Sequence, residues 1–234
     1  MLQTYADTSS LTLADLLKEL GDISPSRIRF KPPPGTATEQ DVIDIHRREK
    51  RLFELVDGVL VEKIMGYAES SIAARLLILL GKFVDENDLG NLASPDGTMR
   101  LMPGLVRIPD VSFVSWEHLP NRQIPTEDIP NLSPDLAVEI LSKGNTKAEM
   151  DLKVRDYFHS GTKLVWLVDL RNRSVRVYTS PDKSKFVTED QSLNGGDVLP
   201  GFKLPLRQVF ARLPRSSSRK PSARGKKKPP RATT

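Results

Sequence analysis

Asp110 and Glu139 each interrupt an apolar, β-branched run that otherwise reads as a buried strand, Val106-Arg-Ile-Pro-Asp-Val-Ser-Phe-Val114 and Pro134-Asp-Leu-Ala-Val-Glu-Ile-Leu-Ser142. A lone carboxylate there is costly unless a cation or hydrogen bonds compensate it, and a divalent metal would do so. Fourteen residues after Glu139 comes Lys153, on a stretch with helical periodicity. Two carboxylates and an ammonium at one sheet edge are the equipment of metal-assisted phosphodiester cleavage. Each residue also has a purely structural reading. Asp110 can accept backbone amides at a strand end. Glu149, Lys153 and Tyr157 fall at i, i+4 and i+8 on one helical face, where Glu149 and Lys153 would form a surface ion pair worth about 0.2 to 0.5 kcal/mol.

Composition narrows the chemistry. The chain has no cysteine, which excludes disulfides and thiolate zinc sites, and its three histidines lie too far apart in sequence for a helical ligand pair. A metal would therefore sit among oxygens, which points to Mg2+ or Mn2+. The sequence has no Walker-type motif and no GxGxxG after a strand, against nucleotide-cofactor chemistry. No apolar run approaches the roughly 20 residues of a membrane span, and the first residues lack the pattern of a signal peptide, so a cytoplasmic protein is expected.

The net charge of +5 is unevenly placed. Residues 211–234 carry nine Lys or Arg and no acid, leaving 26 basic against 30 acidic residues elsewhere. That Pro- and Ser-rich tail, expected to be disordered, suits nucleic-acid phosphate through Lys220, Arg224, Lys226, Lys227 and Lys228, or serves as a solubilising segment without a partner.

At 234 residues and 38% hydrophobic, the chain supports one sizeable core. The order expected is an N-terminal helix and Pro-rich linker over 1–37, one domain over 38–210, and the tail over 211–234. Within the domain, Thr38 caps a helix to Lys50, and Asp57-Gly58 joins a hairpin of Leu52–Val56 and Val59–Lys63. A core helix spans Ala68–Glu86. A strand at Arg107–Val114 carries Asp110, and a second at Asp135–Leu141 carries Glu139. A helix over Asn145–Ser160 then crosses to a parallel, wholly apolar strand at Lys163–Val168. A meander over Arg173–Thr188 and a short segment at Leu204–Phe210 close the chain. The fold class is mixed α/β, a central mixed sheet flanked by helices. Trp116 and Trp166 read as packing residues, and Asp57 and Asp169 as turn residues.

Phe53-Glu-Leu-Val-Asp-Gly58, Arg107-Ile-Pro-Asp-Val111, Pro134-Asp-Leu-Ala-Val-Glu-Ile-Leu-Ser142, Lys153-x-x-x-Tyr157 and Val165-Trp-Leu-Val-Asp169 in this order resemble the Uma-type restriction endonucleases of the PD-(D/E)XK nuclease superfamily. The resemblance covers about residues 39–210. It implies a restriction-endonuclease-like core with Asp110 and Glu139 as metal ligands, Glu54 completing the metal site, and Lys153 as the catalytic cation. The superfamily's usual Lys, two residues after the motif Glu, is Leu141 here, and the resembled family places a Lys on the following helix instead. Glu69 stands where many members have His and is assigned no role.

The function expected is magnesium-dependent hydrolysis of DNA, RNA being an alternative substrate, by a chain suited to act as a homodimer on symmetric sites. The alternatives are a catalytically inactive nuclease fold that binds nucleic acid through its basic tail, and a scaffold with no nucleic-acid function.

Overall fold

The structure is a computed structural model and describes residues 12–214. The helices are α1 (Leu13–Glu19), α2 (Glu39–Glu49), α3 (Tyr67–Glu86) and α4 (Lys147–His159). The first half of the chain contributes strands β1 (Ile28–Arg29), β2 (Phe53–Val56), β3 (Val59–Glu62), β4 (Gly90–Ala93), β5 (Met99–Met102), β6 (Leu105–Arg107) and β7 (Val111–Ser115). The second half contributes β8 (Leu136–Leu141), β9 (Leu164–Asp169), β10 (Ser174–Ser180), β11 (Lys183–Thr188), β12 (Ser192–Gly195) and β13 (Leu199–Pro205).

Among the described residues there are two large sheets and a two-stranded one. The order β11-β10-β9-β8-β7-β4 is the expected mixed sheet, with β8 and β9 parallel through α4 and all other pairs antiparallel. The hairpin β2–β3 lies inside a second sheet, β1-β3-β2-β6-β5. A separate hairpin, β12–β13, replaces the single closing segment expected at Leu204–Phe210. Strand β4 was not foreseen either, since Gly90-Asn-Leu-Ala93 has no apolar alternation and pairs through its backbone with β7.

Alternation assigns the faces. On β8, Leu136, Val138 and Ile140 meet α3 through Ile72, Leu76 and Leu80, in a core that also holds Trp166 and Phe202. Ala137 and Leu141 turn the other way, toward Val154 and Tyr157 of α4 and Val59 and Val61 of the second sheet. The far side of that sheet, through Phe53, Leu55, Leu60 and Val106, is covered by Val42 and Ile45 of α2. Both faces of β2 and β3 are therefore buried, and any polar residue there needs a partner inside the protein.

The expected strand Arg107–Val114 is in fact two strands in two sheets. Leu105 and Val106 pair with β2, whereas Val111 pairs with Val138 of β8. Ile108, Pro109 and Asp110 make the crossing. Pro109 has no N–H to continue a ladder. The backbone groups freed at the crossing are met by site residues: Ile108 N–H donates to Glu54 Oε1 (3.2 Å), and Ile108 C=O accepts from Lys63 Nζ.

Helices α1, α2 and α4 are capped by Thr12, Thr38 and Thr146, whose hydroxyls accept from Asp15, Asp41 and Glu149 N–H. Thr146 also donates to Gly21 C=O, which fastens the N-terminal segment to α4. Gly21 has φ +80°, and a Cβ there would lie 2.4 Å from Glu149 N and 2.5 Å from Glu149 Cα. Gly21→Ala is expected to destabilise the protein by about 2 to 3 kcal/mol. Differential scanning calorimetry should show a fall in Tm of about 5 to 10 °C.

Candidate active site

Cross-strand register gathers one set of charges. Glu54 of β2 lies opposite Val61, so it shares the inner face with Val56, Val59 and Val61. Lys63, one residue past β3, continues that alternation, and Arg107 at the end of β6 is the cross-strand neighbour of Glu54. From the other sheet Glu139 points to the same layer, and Asp110 enters from the crossing between the sheets. Helix α4 closes the set with Lys153, Asp156 and Tyr157, one turn apart along a single face.

The contacts form a continuous network. Lys153 Nζ donates to Glu54 Oε1 (2.8 Å) and Glu139 Oε1 (3.1 Å), and Tyr157 OH donates to the same Glu139 oxygen (2.6 Å). Lys63 Nζ lies 2.7 Å from Asp110 Oδ1 and 3.6 Å from Glu139 Oε2. Ile140 N–H donates to the second Asp110 oxygen at 2.6 Å. Arg107 joins Glu54 Oε2 (2.8 Å) to Asp156, on which its Nε sits at 3.1 Å. Glu54, Arg107, Asp110, Glu139 and Lys153 are each no more than 4% exposed.

Burial and pairing pull these groups in opposite directions. Burial alone would raise the Glu54 carboxyl, but Lys153, Arg107 and Lys63 outweigh it and hold the group far below its usual range. Glu139 is likewise lowered, against burial, by Lys153 and Lys63 and by the Tyr157 hydroxyl. For Lys63 burial favours the neutral amine, yet Glu139, Asp110 and Glu54 hold it well above an ordinary lysine. Asp110 moves the other way from Lys63, its direct partner. Burial raises it and nearby Glu139 adds to the effect, while Lys63 opposes them. The asymmetry is physical, since Lys63 faces three anions and Asp110 faces one close cation and a competing carboxylate. Tyr157 is pushed well above its ordinary value by burial and by Glu139 and Glu54, so it stays a donor.

The sequence-predicted residues Asp110, Glu139, Lys153 and Glu54 thus meet in one place. Glu54 stands against Arg107 and Lys153 rather than beside Asp110. Among the described residues, no three His, Cys, Asp or Glu side chains are arranged to close on one ion. The surface ion pair of Glu149 and Lys153, the structural alternative for Lys153, does not form. Arg27, from the N-terminal segment, takes Glu149 Oε1 at 2.7 Å, Asn145 takes the other oxygen, and Lys153 is drawn to Glu54 and Glu139. Asp169 is the turn acceptor expected, bonded by Arg171 and Asn172 N–H. Lys220, Arg224, Lys226, Lys227 and Lys228 lie outside the described residues.

Lys63, Arg107 and Asp156 were missed. The signal for Lys63 was present, because Val59, Val61 and Lys63 alternate on one face. Reading its direction required knowing that both sides of the hairpin are covered. A cleft of about 420 Å³ opens at the C-terminal ends of β8 and β9, lined by Leu141, Asn145, Met150, Asp169, Arg176 and Tyr178. None of the charged network lines it.

A family model named Uma2 and described as "Putative restriction endonuclease" matches residues 39–207. The chain belongs to this family. Helix α1, strand β1 and the segment between them, with Gly21 and Arg27, precede the matched residues. The crystal structure of a protein from Anabaena variabilis, described as a putative nuclease belonging to DUF820, superposes with a TM-score of 0.62 at 19% identity. The match covers 69% of this chain and 91% of that one. The fold is thus restriction-endonuclease-like. No curated protein matches the chain.

The network predicts how stability responds to sequence and pH. Lys153→Met leaves Glu54 and Glu139 short of a buried cation and should cost about 3 to 5 kcal/mol in urea unfolding. Because Glu54 and Glu139 titrate lower in the folded than in the unfolded chain, their contribution is complete above about pH 4.5 and is lost as pH falls through the lowered folded values. Lys63 and Tyr157 titrate higher when folded, so stability should decline as pH rises above about 10. Urea midpoints across pH should therefore show both limbs, with a shallower acid limb in Glu54→Gln.

Proposed function

We propose that this chain is a magnesium-dependent endonuclease that hydrolyses DNA phosphodiester bonds, with Mn2+ able to replace Mg2+. The observation that carries this reading is the convergence of Asp110 Oδ1 and Glu139 Oε2 on a single cation, the Lys63 ammonium. Hard carboxylate oxygens are the donors magnesium takes, and a cation already rests between them, so the residues fit the ion. Asp110 and Glu139 would hold it, with the remaining positions left to water and phosphate. Once bound, such an ion lowers the pKa of a bound water and offsets charge on the scissile phosphate.

The chain's own groups supply the rest. Lys153, anchored on the other Glu139 oxygen, offers its ammonium to the phosphate and helps orient the attacking water. Glu54 fixes Lys153 in place, and Arg107 keeps Glu54 ionised. Tyr157 holds the Glu139 carboxylate in one orientation through its hydroxyl. The basic tail adds sequence-independent affinity for the DNA backbone.

One observation favours a second reading. The acids of the site already have cationic partners in Lys63, Lys153 and Arg107, and the set is closed to solvent. That suits a nuclease fold that has kept its network for stability and binds nucleic acid through the tail alone.

Plasmid nicking with Mg2+ separates the two. In the endonuclease reading, Asp110→Asn and Glu139→Gln, which nearly conserve shape, lower the rate by at least about 100-fold, the size of a lost transition-state interaction. Their far-UV circular dichroism stays that of the wild type. Absence of Mg2+-dependent nicking by wild type, with DNA binding abolished by truncation after Leu213, selects the second reading.

A further inference from the structure

Lys63 differs from every other cation in the network by the oxygens it takes. Glu139 Oε1 is shared by Lys153 and Tyr157, Asp110 Oδ2 is taken by the Ile140 amide, and both Glu54 oxygens are occupied. The two that remain, Asp110 Oδ1 and Glu139 Oε2, both lie near Lys63 Nζ, at 2.7 and 3.6 Å. The ammonium is held by Asp110 and by Ile108 C=O but lies 3.6 Å from Glu139, beyond hydrogen-bond length, so only its Glu139 contact is loose.

We propose that Lys63 is a built-in occupant of the divalent-cation position, and that an ion enters only by displacing its ammonium. This rests on the reading of Asp110 and Glu139 as the ion's ligands.

Charge favours the exchange. Glu54, Asp110, Glu139 and Asp156 face Lys63, Lys153 and Arg107, four carboxylates against three cations. Replacing one ammonium by a doubly charged ion brings the buried set to neutrality. Mechanics favours it as well. Lys63 N–H is fixed to Leu52 C=O at 2.9 Å, so its backbone stays with the hairpin while the four-carbon stem rotates. The residues that follow, Ile64 to Gly66, belong to no helix or strand, and Lys63, although its side chain is 8% exposed, sits at the end of the hairpin next to the exposed Ile64. A lysine stem buries its methylenes and carries its charge to water at little cost. Lys153 has no such path, being held mid-helix by Glu54 and Glu139.

The lysine therefore acts as a positioning and gating group. It keeps the two ligands apart and charge-compensated without metal, and it sets the metal concentration at which the site fills.

The test is calorimetric titration of the full-length protein with Mn2+ in the absence of DNA, for wild type, Lys63→Met and Lys63→Met/Glu139→Gln. Lys63→Met should bind Mn2+ at least about 10-fold more tightly than wild type, the added Glu139→Gln should abolish the gain, and Mn2+ should raise the Tm of Lys63→Met more than that of wild type. A measurement on wild type alone guards against a misfolded variant. Reductive methylation followed by peptide mass spectrometry should find Lys63 protected without Mn2+ and modified with it. Equal or weaker Mn2+ binding by a folded Lys63→Met, or a Lys63 that stays protected while wild type binds Mn2+, overturns the gate and leaves the metal reading standing. Binding by neither protein overturns both.

Discussion

Burying a carboxylate costs several kcal/mol unless a cation meets it, and this protein buries three, with a fourth at their edge, in the layer between its two sheets. The compensation is not pairwise. Lys153 serves Glu54 and Glu139, Lys63 serves Asp110 and Glu139, and Arg107 serves Glu54 and Asp156. Each cation bridges two carboxylates, so removal of any one of them weakens the compensation of two acids at once, and the hairpin, the crossing strand and α4 must keep their mutual positions for the set to be stable. That constraint explains why α4, whose own apolar stripe is modest, packs with its charged face inward.

The same constraint shapes the backbone. A strand that passes from one sheet to the other breaks two ladders and exposes polar groups in the interior. At Ile108 to Asp110 those groups are answered by Glu54 and Lys63 side chains and by the Val138 carbonyl. The crossing that brings Asp110 to Glu139 is thus held by the network that it helps to assemble. The N-terminal segment, outside the part matched by the family model, reinforces the arrangement from behind through Arg27 on Glu149 and Gly21 beneath the α4 cap.

This nuclease-family fold closes its site over four carboxylates and three cations, one positive charge short of balance. In the proposed reading Asp110 Oδ1 and Glu139 Oε2 are the oxygens an ion would take, and both lie beside an internal cation, Lys63. In that reading resting stability and ion binding compete for the same carboxylates, and the Lys63 side chain sets the balance.

Local pattern was enough to identify most elements. Thr38 marks α2, Asp57-Gly58 marks the hairpin, and the apolar run around Trp166 marks the central parallel strand, because capping, turn geometry and periodicity are properties of neighbouring residues. Local pattern also singled out Asp110 and Glu139, since a charge in an apolar strand stands out against its neighbours. It did not reveal that Arg107 to Val114 serves two sheets, as Pro109 permits the break but only pairing partners distant in sequence show where each half goes. Nor did it set the roles of Lys63, Arg107 and Glu149. The partner of a long charged side chain is chosen by whichever opposite charge the fold brings within reach, and here Arg27 and Glu149 are 122 residues apart and Glu54 and Lys153 are 99 apart. The sequence by itself determined which groups were available for chemistry. Tertiary structure decided which carboxylate each cation neutralises, because Coulomb attraction in a buried layer depends on distance in space and is blind to distance along the chain.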